Sequence, residues 1–311
     1  MPVKDHILVV GSHIPGLLLR VKRPPISGET VIGWGFEEAI DGGKGSNQAI
    51  AAARLGGKVS FLGCVGKDRI GDQAESWMRI AGVDTTLLRR SPTTASGVGF
   101  ILLDERGVPA MVSSLGANAE LTDQEVESAI TRFRDIGVLL TQFEIPIPVA
   151  LHAMRYAHQQ GLLTILNPAP APEIKLSGLE CADLLVPNET EARMMLGVPV
   201  EQEVDNAWLA QHLRKKTKAG VVLITIGERG VVGCDAQGVW TVSPPPVRAV
   251  DTSGAGDAFC AALAVALVDG QPVREATAWA CTVAALSVTR SGTIPAYPTR
   301  AEVEAFERLN V

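Results

Sequence analysis

The feature that most constrains the fold is a run at residues 258–267 (AFCAALAVAL) that is apolar on every side. A helix with no polar face has no side that water solvates favourably, so it has to be buried. The run therefore predicts a helix at the centre of a large core. A turn of small residues, Gly254-Ala255-Gly256, stands directly before this helix, and Asp257 closes the turn.

This turn is a candidate anion site. A helix start leaves backbone N–H groups without partners and carries partial positive charge. Glycines let a ligand approach those groups closely. Gly254, Ala255 and Gly256 would then surround a bound phosphate. The Asp257 carboxylate would lie where an attacking hydroxyl could reach that phosphate. The alternative is a simple helix cap with glycines for tight packing. A carboxylate directly before an apolar helix favours the functional interpretation.

Composition excludes several classes of function. The chain has 311 residues, of which 46% are hydrophobic and 20% charged, with a net charge of −6. A large core is expected, and nucleic acid or an anionic membrane is not an expected partner. Five scattered cysteines without a C-x-x-C pair predict buried reduced thiols in a cytoplasmic protein. No apolar run is long enough for a signal peptide or a membrane span.

Strand and helix patterns alternate through most of the chain. Between 137 and 226 they predict strands at 137–142, 162–166, 183–186 and 220–226 with helices between them. Such alternation is typical of βαβ units, so we predict a three-layer α/β fold with a mainly parallel sheet covered by helices. Two strand-like segments, 12–40 and 93–114, interrupt this alternation of strands and helices. We predict that they form one small β lid inserted into a single domain, 1–311.

A second glycine cluster lies at 41–47 (DGGKGSN). It is not a dinucleotide fingerprint, since Gln48 stands where the last glycine is required. It is not a P-loop either, because Gly45 follows Lys44 in place of Ser or Thr. The cluster could serve close packing at a helix start, or Asn47 could bind a polyol. The residues alone leave both interpretations open.

Polar residues also follow two predicted strands. Asn188 and Glu191 begin a helix, either as a solvated helix start, which the residues alone favour, or as neighbours of a phosphate-bound Mg²⁺. The stretch 225–230 ends a strand with two glycines. It could form a hairpin turn, or it could be a surface on which a nucleotide binds. Glu144 ends a third strand. The five histidines lack the spacing of a metal site.

Together these motifs resemble those of the ribokinase family of carbohydrate kinases, the phosphofructokinase-B type. DGGKGSNQAIAAARLG (41–56) resembles the family's first signature, and DTSGAGDAF (251–259) resembles the second, which is highly specific. Other matching stretches are GAN (116–118), QFE (142–144), LNPAPA (166–171), PNETEA (187–192), ITIGERG (224–230) and SVTRSG (287–292). The resemblance spans about 6–307.

The resemblance implies ATP-dependent phosphorylation of a primary hydroxyl on a sugar. Asp257 would be the catalytic base, and the amides of Ala255, Gly256 and Asp257 would form the anion hole. The sugar site would contain Gly43, Lys44, Asn47 and Glu144. The ATP site would contain Asn188, Thr225, Gly227, Gly230, Gly256 and Cys281. Glu191 and Asn188 would lie near Mg²⁺ through water. A monovalent cation, usually K⁺, would be held by Asp251, Ser253, Ser287, Arg290, Gly292 and Ala296.

Two positions depart from the family pattern. Family members have the sequence G-S-x-N-x-D after the first strand, and its Asp binds two ring hydroxyls of the sugar. Here Ile14 replaces the Asn and Gly16 replaces the Asp. Ala296 also stands where a serine is usual in the cation site. We therefore expect ribose not to be the preferred substrate, with His13 or Asp41 meeting a differently substituted sugar or a nucleoside.

Alternative functions remain at this stage. A nucleoside kinase on the same fold is one, since Ile14 and Gly16 make the pocket less polar and roomier. A non-catalytic sugar- or nucleotide-binding protein is another, although the intact Asp257 turn argues against it. Exposed edges of the β lid also predict a homodimer through the lid.

Overall fold

In a computed structural model, residues 4–38, 41–171, 176, 178–199 and 202–309 are described. Their strands are β1 (His6–Val10), β2 (Gly16–Arg20), β3 (Trp34–Glu38), β4 (Lys58–Gly66), β5 (Leu88–Ser91), β6 (Val98–Leu103), β7 (Pro109–Ser114), β8 (Ile136–Gln142), β9 (Leu163–Asn167), β10 (Leu184–Leu185), β11 (Val221–Thr225), β12 (Val231–Asp235) and β13 (Gly238–Val242). Their helices are α1 (Gly43–Arg54), α2 (Arg69–Ala81), α3 (Asp123–Arg132), α4 (Ile147–Gln159), α5 (Glu189–Leu196), α6 (Asn206–Thr217), α7 (Ala255–Val268), α8 (Val273–Ser287) and α9 (Arg300–Leu309).

Nine of these strands form the main sheet, in the order β13-β12-β11-β10-β9-β8-β1-β4-β5. The strands from β11 to β5 run parallel, while β12 and β13 form an antiparallel hairpin at one edge. The carboxyl ends of the parallel strands therefore share one edge of the sheet, where ligands of open α/β sheets bind.

Helices cover both faces of this sheet. Alternate residues of β1 show the division, since Ile7 and Val9 pack with α1, α2, α7 and α8, whereas Leu8 and Val10 pack with α3 to α6. Helix α7 lies in the middle of the first layer, with Ala258–Ala266 all buried. The predicted three-layer α/β fold and the buried apolar helix are confirmed.

The remaining four strands form a separate small sheet, in the order β3-β2-β6-β7. Strand β2 pairs parallel with β6, and the two outer pairs are antiparallel. All four strands fall within the segments 12–40 and 93–114. The chain between β1 and β2 crosses directly above the start of α1, where the Ile14 N–H donates to Gly42 O at 2.7 Å. The small sheet is thus rooted beside the glycine cluster.

Some elements differ from the sequence predictions. Strand β10 has only two residues where four were expected, and β5 was not predicted at all. Thr122 and Glu125 form a capping box at the start of α3, with the Thr122 hydroxyl accepting from the Glu125 N–H at 3.3 Å. No helix among the described residues has both the length and the apolar character needed to cross a membrane.

Candidate active site

The start of α7 exposes backbone donors. Gly254 has a φ of +74°, and a Cβ there would lie 2.5 Å from Thr293 Cγ2 and 2.6 Å from Tyr297 Oη. Only glycine fits that position. The first α-helical bond runs from the Ala258 N–H to Gly254 O, and no side chain caps the helix. Within the described residues, nothing accepts from the amides of Gly256 and Asp257, so both are free to bind an anion.

The Asp257 carboxylate is held on both oxygens by two neighbouring amides of α1. Gln48 Nε2 donates to Oδ1 at 2.9 Å, and Asn47 Nδ2 donates to Oδ2 at 3.1 Å. Asp257 is 7% exposed. Each carboxylate oxygen has a second lone pair. The arrangement is an oriented carboxylate beside a helix start with unpaired backbone donors.

The glycine cluster serves both packing and the site. A Cβ on Gly45 would lie 2.4 Å from the Ser12 amide nitrogen, so this glycine lets α1 sit directly on the chain after β1. Asn47 Nδ2 donates to Asp41 Oδ1 at 2.7 Å as well as to Asp257, and the Gly43 N–H also donates to Asp41 Oδ1, at 3.1 Å. One amide nitrogen therefore joins Asp41 to Asp257.

Carboxyl groups dominate the charge of this region. Glu144 Oε2 accepts from the Ser12 hydroxyl at 2.6 Å and from the Lys44 N–H at 2.8 Å. Burial raises the pKa of Glu144, and it does the same for Asp41 and Glu191. Burial lowers the pKa of Lys44, but the facing carboxylates of Asp257, Glu144 and Glu191 outweigh that effect and raise it. The Lys44 ammonium therefore stays charged among these acids.

A cavity of about 980 Å³ leads from the end of β11 to the start of α7. Its lining contains Asn188, Thr225, Gly227, Gly230, Gly256 and Cys281, the six positions predicted to bind ATP, together with 244–247 and part of α8. A Cβ on Gly256 would meet no atom within 4 Å, so the cavity is open directly above this residue. Burial raises the pKa of the Cys281 thiol to about 12, which makes it a neutral part of the wall.

Asn188 and Glu191 form a reciprocal cap on α5. Asn188 Oδ1 accepts from the Glu191 N–H, and Glu191 Oε2 accepts from the Asn188 N–H, each at 2.8 Å. The capping interpretation therefore accounts for one oxygen of each side chain. Across the described part of the chain, His, Cys, Asp and Glu side chains form no group of three that could hold a metal. A Mg²⁺ here would depend on phosphate oxygens and water, which suits its preference.

The loop before α7 and the loop after α8 meet beside the Gly254–Gly256 turn. The Asp251 carboxylate accepts from the Ser253 N–H and the Gly292 N–H, both at 2.9 Å. The Val250 N–H donates to Val288 O at 2.7 Å. The structure thus brings together the two segments that hold the predicted cation ligands, Asp251, Ser253, Ser287, Arg290, Gly292 and Ala296. The Arg290 side chain turns away to Glu302, at 2.6 Å, so its backbone is the part available to a cation.

His13 does not join the groups around Asp257. Its ring is 1% exposed, its Nδ1 lies 2.8 Å from Ser46 Oγ, and it packs beside Trp77. Burial lowers the pKa of His13 to about 3, so the ring is neutral. Ile14 is also buried, and its side chain fills the space between the glycine cluster and the root of β6 at Gly97.

Sequence reasoning missed the polar residues that support the site. Gln48, Gln142 and Asn167 form a buried amide network with Asp257. Ser12 binds Glu144, and the Tyr297 hydroxyl is buried below Gly254 without a partner in the described residues. One signal was available: Gln48 is a long amide at the start of an alanine-rich helix, where burial demands a partner.

An oriented carboxylate, open helix amides and a cavity of nucleotide size together define a phosphoryl-transfer enzyme. The model of the pfkB family of carbohydrate kinases matches residues 6–300, and the chain belongs to this family. It is an ATP-dependent carbohydrate kinase.

Individual relatives agree with this assignment. The chain is 34% identical to a ribokinase of Schizosaccharomyces pombe over 314 residues, covering 98% of each chain. It is 33% identical to a deoxyribokinase of Salmonella typhi, covering 98% of this chain and 99% of the other. A solved structure of Arabidopsis thaliana ribokinase complexed with ribose and ATP has a TM-score of 0.84 at 28% identity, covering 97% of this chain and 98% of the other.

Proposed function

We propose that the protein transfers the γ-phosphoryl group of ATP to a primary hydroxyl of a sugar, with Asp257 as the general base. The observation that carries this proposal is the pairing of a doubly held Asp257 carboxylate with the open amides of Gly256 and Asp257. Asp257 takes the hydroxyl proton, and the hydroxyl oxygen bonds to the γ-phosphorus. The bond from that phosphorus to the β–γ bridging oxygen breaks, and ADP leaves. The amides stabilise the developing charge.

ATP would lie in the 980 Å³ cavity with its phosphates towards α7. Asn188, Thr225, Gly227 and Gly230 would contact the nucleoside end. Gly254 and Gly256 would give the phosphates close access to the helix amides. Cys281 would pack against the adenine ring of ATP as an apolar neighbour.

The sugar would lie on the other side of Asp257, among Lys44, Asn47, Glu144 and the Gly43 backbone. We favour Asp41 over His13 as the additional sugar contact. Asp41 shares the Asn47 amide with Asp257, whereas the His13 ring is turned towards Ser46 and Trp77. Since Ile14 and Gly16 bring no acid to the root of the lid, the preferred sugar would differ from ribose in the hydroxyls it offers. The similar deoxyribokinase shows that this level of similarity does not fix the acceptor.

Two cations would support the reaction. Mg²⁺ would be held by the phosphates and by water near Glu191 and Asn188, where it would neutralise phosphate charge. K⁺ would bind between the loops joined by Asp251 and Gly292, through the backbone oxygens of Ser253, Ser287, Arg290 and Ala296. Ala296 supplies no hydroxyl, so one ligand would be missing. The five cysteines are buried and unpaired, which supports a reducing cytoplasmic location.

The small sheet would act as a lid and as the interface of a homodimer. Gly97 and Gly99 of the β6 segment face Ile14, which itself lies beside Gly43, so Ile101 and its partner Met111 lie on the side of the active site. Phe100 and its partner Val112 point to the opposite side and are exposed. An exposed apolar sheet face of this kind is suited to a second copy.

The experiment is a coupled assay of ADP formation against pentoses, hexoses and nucleosides, with K⁺ or Na⁺ as the salt. It compares the wild type with Asp257→Ala, Asp41→Asn and the control Asp269→Ala, at the far end of the same helix. Asp257→Ala should lower kcat by about 10²–10⁴-fold while ATP binding persists. Asp269→Ala should leave kcat unchanged.

Asp41→Asn should raise the KM of the preferred acceptor about tenfold or more, since it removes a charged hydrogen-bond partner. Turnover by Asp257→Ala would contradict the role of the base. A ribose kcat/KM equal to that of the best acceptor, and unchanged in Asp41→Asn, would contradict the proposed sugar specificity. A nucleoside as the best acceptor would replace it with the alternative function.

A further inference from the structure

Gln48 is a polar side chain without contact to solvent, one position beyond Asn47 in α1. Its Nε2 donates to Asp257 Oδ1 at 2.9 Å and to Asn167 Oδ1 at 3.2 Å. Its Oε1 accepts from Gln142 Nε2. Both amide hydrogens and the carbonyl oxygen are therefore engaged. This full set of partners is what allows such a polar group to be buried.

The partners also fix which way the amide points. Reversing it would set Gln48 Oε1 against the oxygens of Asp257 and Asn167, and would set its NH₂ against that of Gln142. Three favourable bonds would become three repulsive contacts. The end that faces the Asp257 carboxylate is therefore always a donor.

Gln48 is in turn fixed by the central sheet. Gln142 and Asn167 are the last residues of β8 and β9 and lie opposite each other in the register. Asn167 Nδ2 donates to Val186 O at 2.9 Å, which aims its oxygen at Gln48. The position of the Gln48 amide thus follows from the backbone of the main sheet.

We propose that Gln48 is a positioning residue that holds the plane of the Asp257 carboxylate, so that a free lone pair faces the acceptor hydroxyl. The inference rests on the proposed role of Asp257 as the base. Asn47 alone does not fix this plane, because it holds only the second oxygen and shares its nitrogen with Asp41. General-base catalysis depends on hydrogen-bond geometry, and a misplacement of about 1 Å costs about 10²-fold in rate.

A pH profile separates positioning from mere support of the fold. The charged or titratable groups that face Asp257 are Asp41, Lys44, Glu144, Glu191, Cys260 and Tyr297. All of them remain in a Gln48 variant. Removing a donor from a carboxylate favours its protonated form. The acid limb of the kcat profile should therefore move to higher pH when Gln48 loses its amide.

The test compares Gln48→Met with the wild type at the best acceptor. Methionine has similar length and no amide, so it fills the space without donating. We expect kcat to fall about 10- to 100-fold, the KM for ATP to stay within about twofold, and the acid limb to move up. Asn206→Ala is the matched control, a buried amide in α6 whose Oδ1 has no partner in the described residues. It should leave kcat unchanged.

A second variant covers the case in which Gln48→Met does not fold. Gln142→Met removes the donor that holds Gln48 Oε1, and it should lower kcat in the same direction by a smaller factor. Asp257→Ala runs beside both. If Asp257→Ala is inactive while Gln48→Met keeps the wild-type kcat, or loses it without a move of the acid limb, the positioning role is wrong and the base remains. If Asp257→Ala is active, both the proposed role of Asp257 as the base and the positioning role of Gln48 are wrong.

Discussion

His13 is a single residue whose environment has a consequence for the stability of the whole protein. Its ring is neutral because burial lowers the pKa to about 3, against 6.5 for a free histidine. The unfolded chain therefore binds more protons than the folded protein between these two values. Stability then rises with pH across this window, and it is lost as pH falls from about 6.5 towards 3.

This effect can be measured by chemical denaturation at several pH values. His13 should make the free energy of unfolding about 2 kcal/mol lower at pH 5 than at pH 7. His13→Asn keeps a nitrogen near Ser46 and should show a smaller difference between these two pH values, whatever its absolute stability. An equal pH dependence in both proteins would mean that the folded protein accepts a proton on His13.

At the scale of one element, the start of α7 places two glycines under different constraints. Gly254 is confined by Thr293 and Tyr297 and by its positive φ, whereas Gly256 faces open cavity. The fold requires glycine at the first position, whereas at the second only the proposed phosphate site does. The two substitutions to alanine should therefore separate stability from activity.

Gly254→Ala should destabilise the protein by about 1–3 kcal/mol or more, because it adds a clash to a strained conformation. Gly256→Ala should leave thermal unfolding unchanged and lower kcat/KM for ATP about tenfold or more, since the added Cβ would project into the cavity where we propose that the phosphates lie. Thermal unfolding and steady-state kinetics of both variants measure this. Wild-type kinetics in Gly256→Ala would show that phosphate does not approach that side of the turn.

The sequence predicted α7 and its turn because both signals are local: an all-apolar run and a small-residue start. It could not predict what holds Asp257, because Asn47 and Gln48 come from a distant helix and no spacing rule connects them. Strand β5 was missed because LRRS has no apolar alternation and pairs on one side only. His13 was expected near the sugar, and nothing in the sequence indicated that its ring faces Trp77.

At the scale of the whole molecule, the small sheet has two apolar faces and only one active site to cover. Val112 and Met111 are each 67% exposed, yet their partners in β6 place them on opposite faces. This pair allows a matched test of the proposed dimer. Val112→Lys should convert a dimer into a monomer by light scattering after gel filtration, while Met111→Lys should remain dimeric. Equal behaviour of the two variants, or a monomeric wild type, would contradict the interface.

The hydrogen bonds from α1 to Asp257 also bear on how the chain folds. They join residues 209 and 210 positions apart, and the Arg54 guanidinium at the other end of α1 donates to Ile294 O, 240 positions away, at 2.6 Å. Such contacts form only after a large loss of chain entropy, so they depend on the rest of the fold. A partly folded or still-growing chain can have the glycine turn and yet lack the hydrogen bonds that orient the Asp257 carboxylate. With Asp257 as the proposed base, phosphoryl transfer begins only after the first and last thirds of the chain have met, and an incomplete chain should not consume ATP.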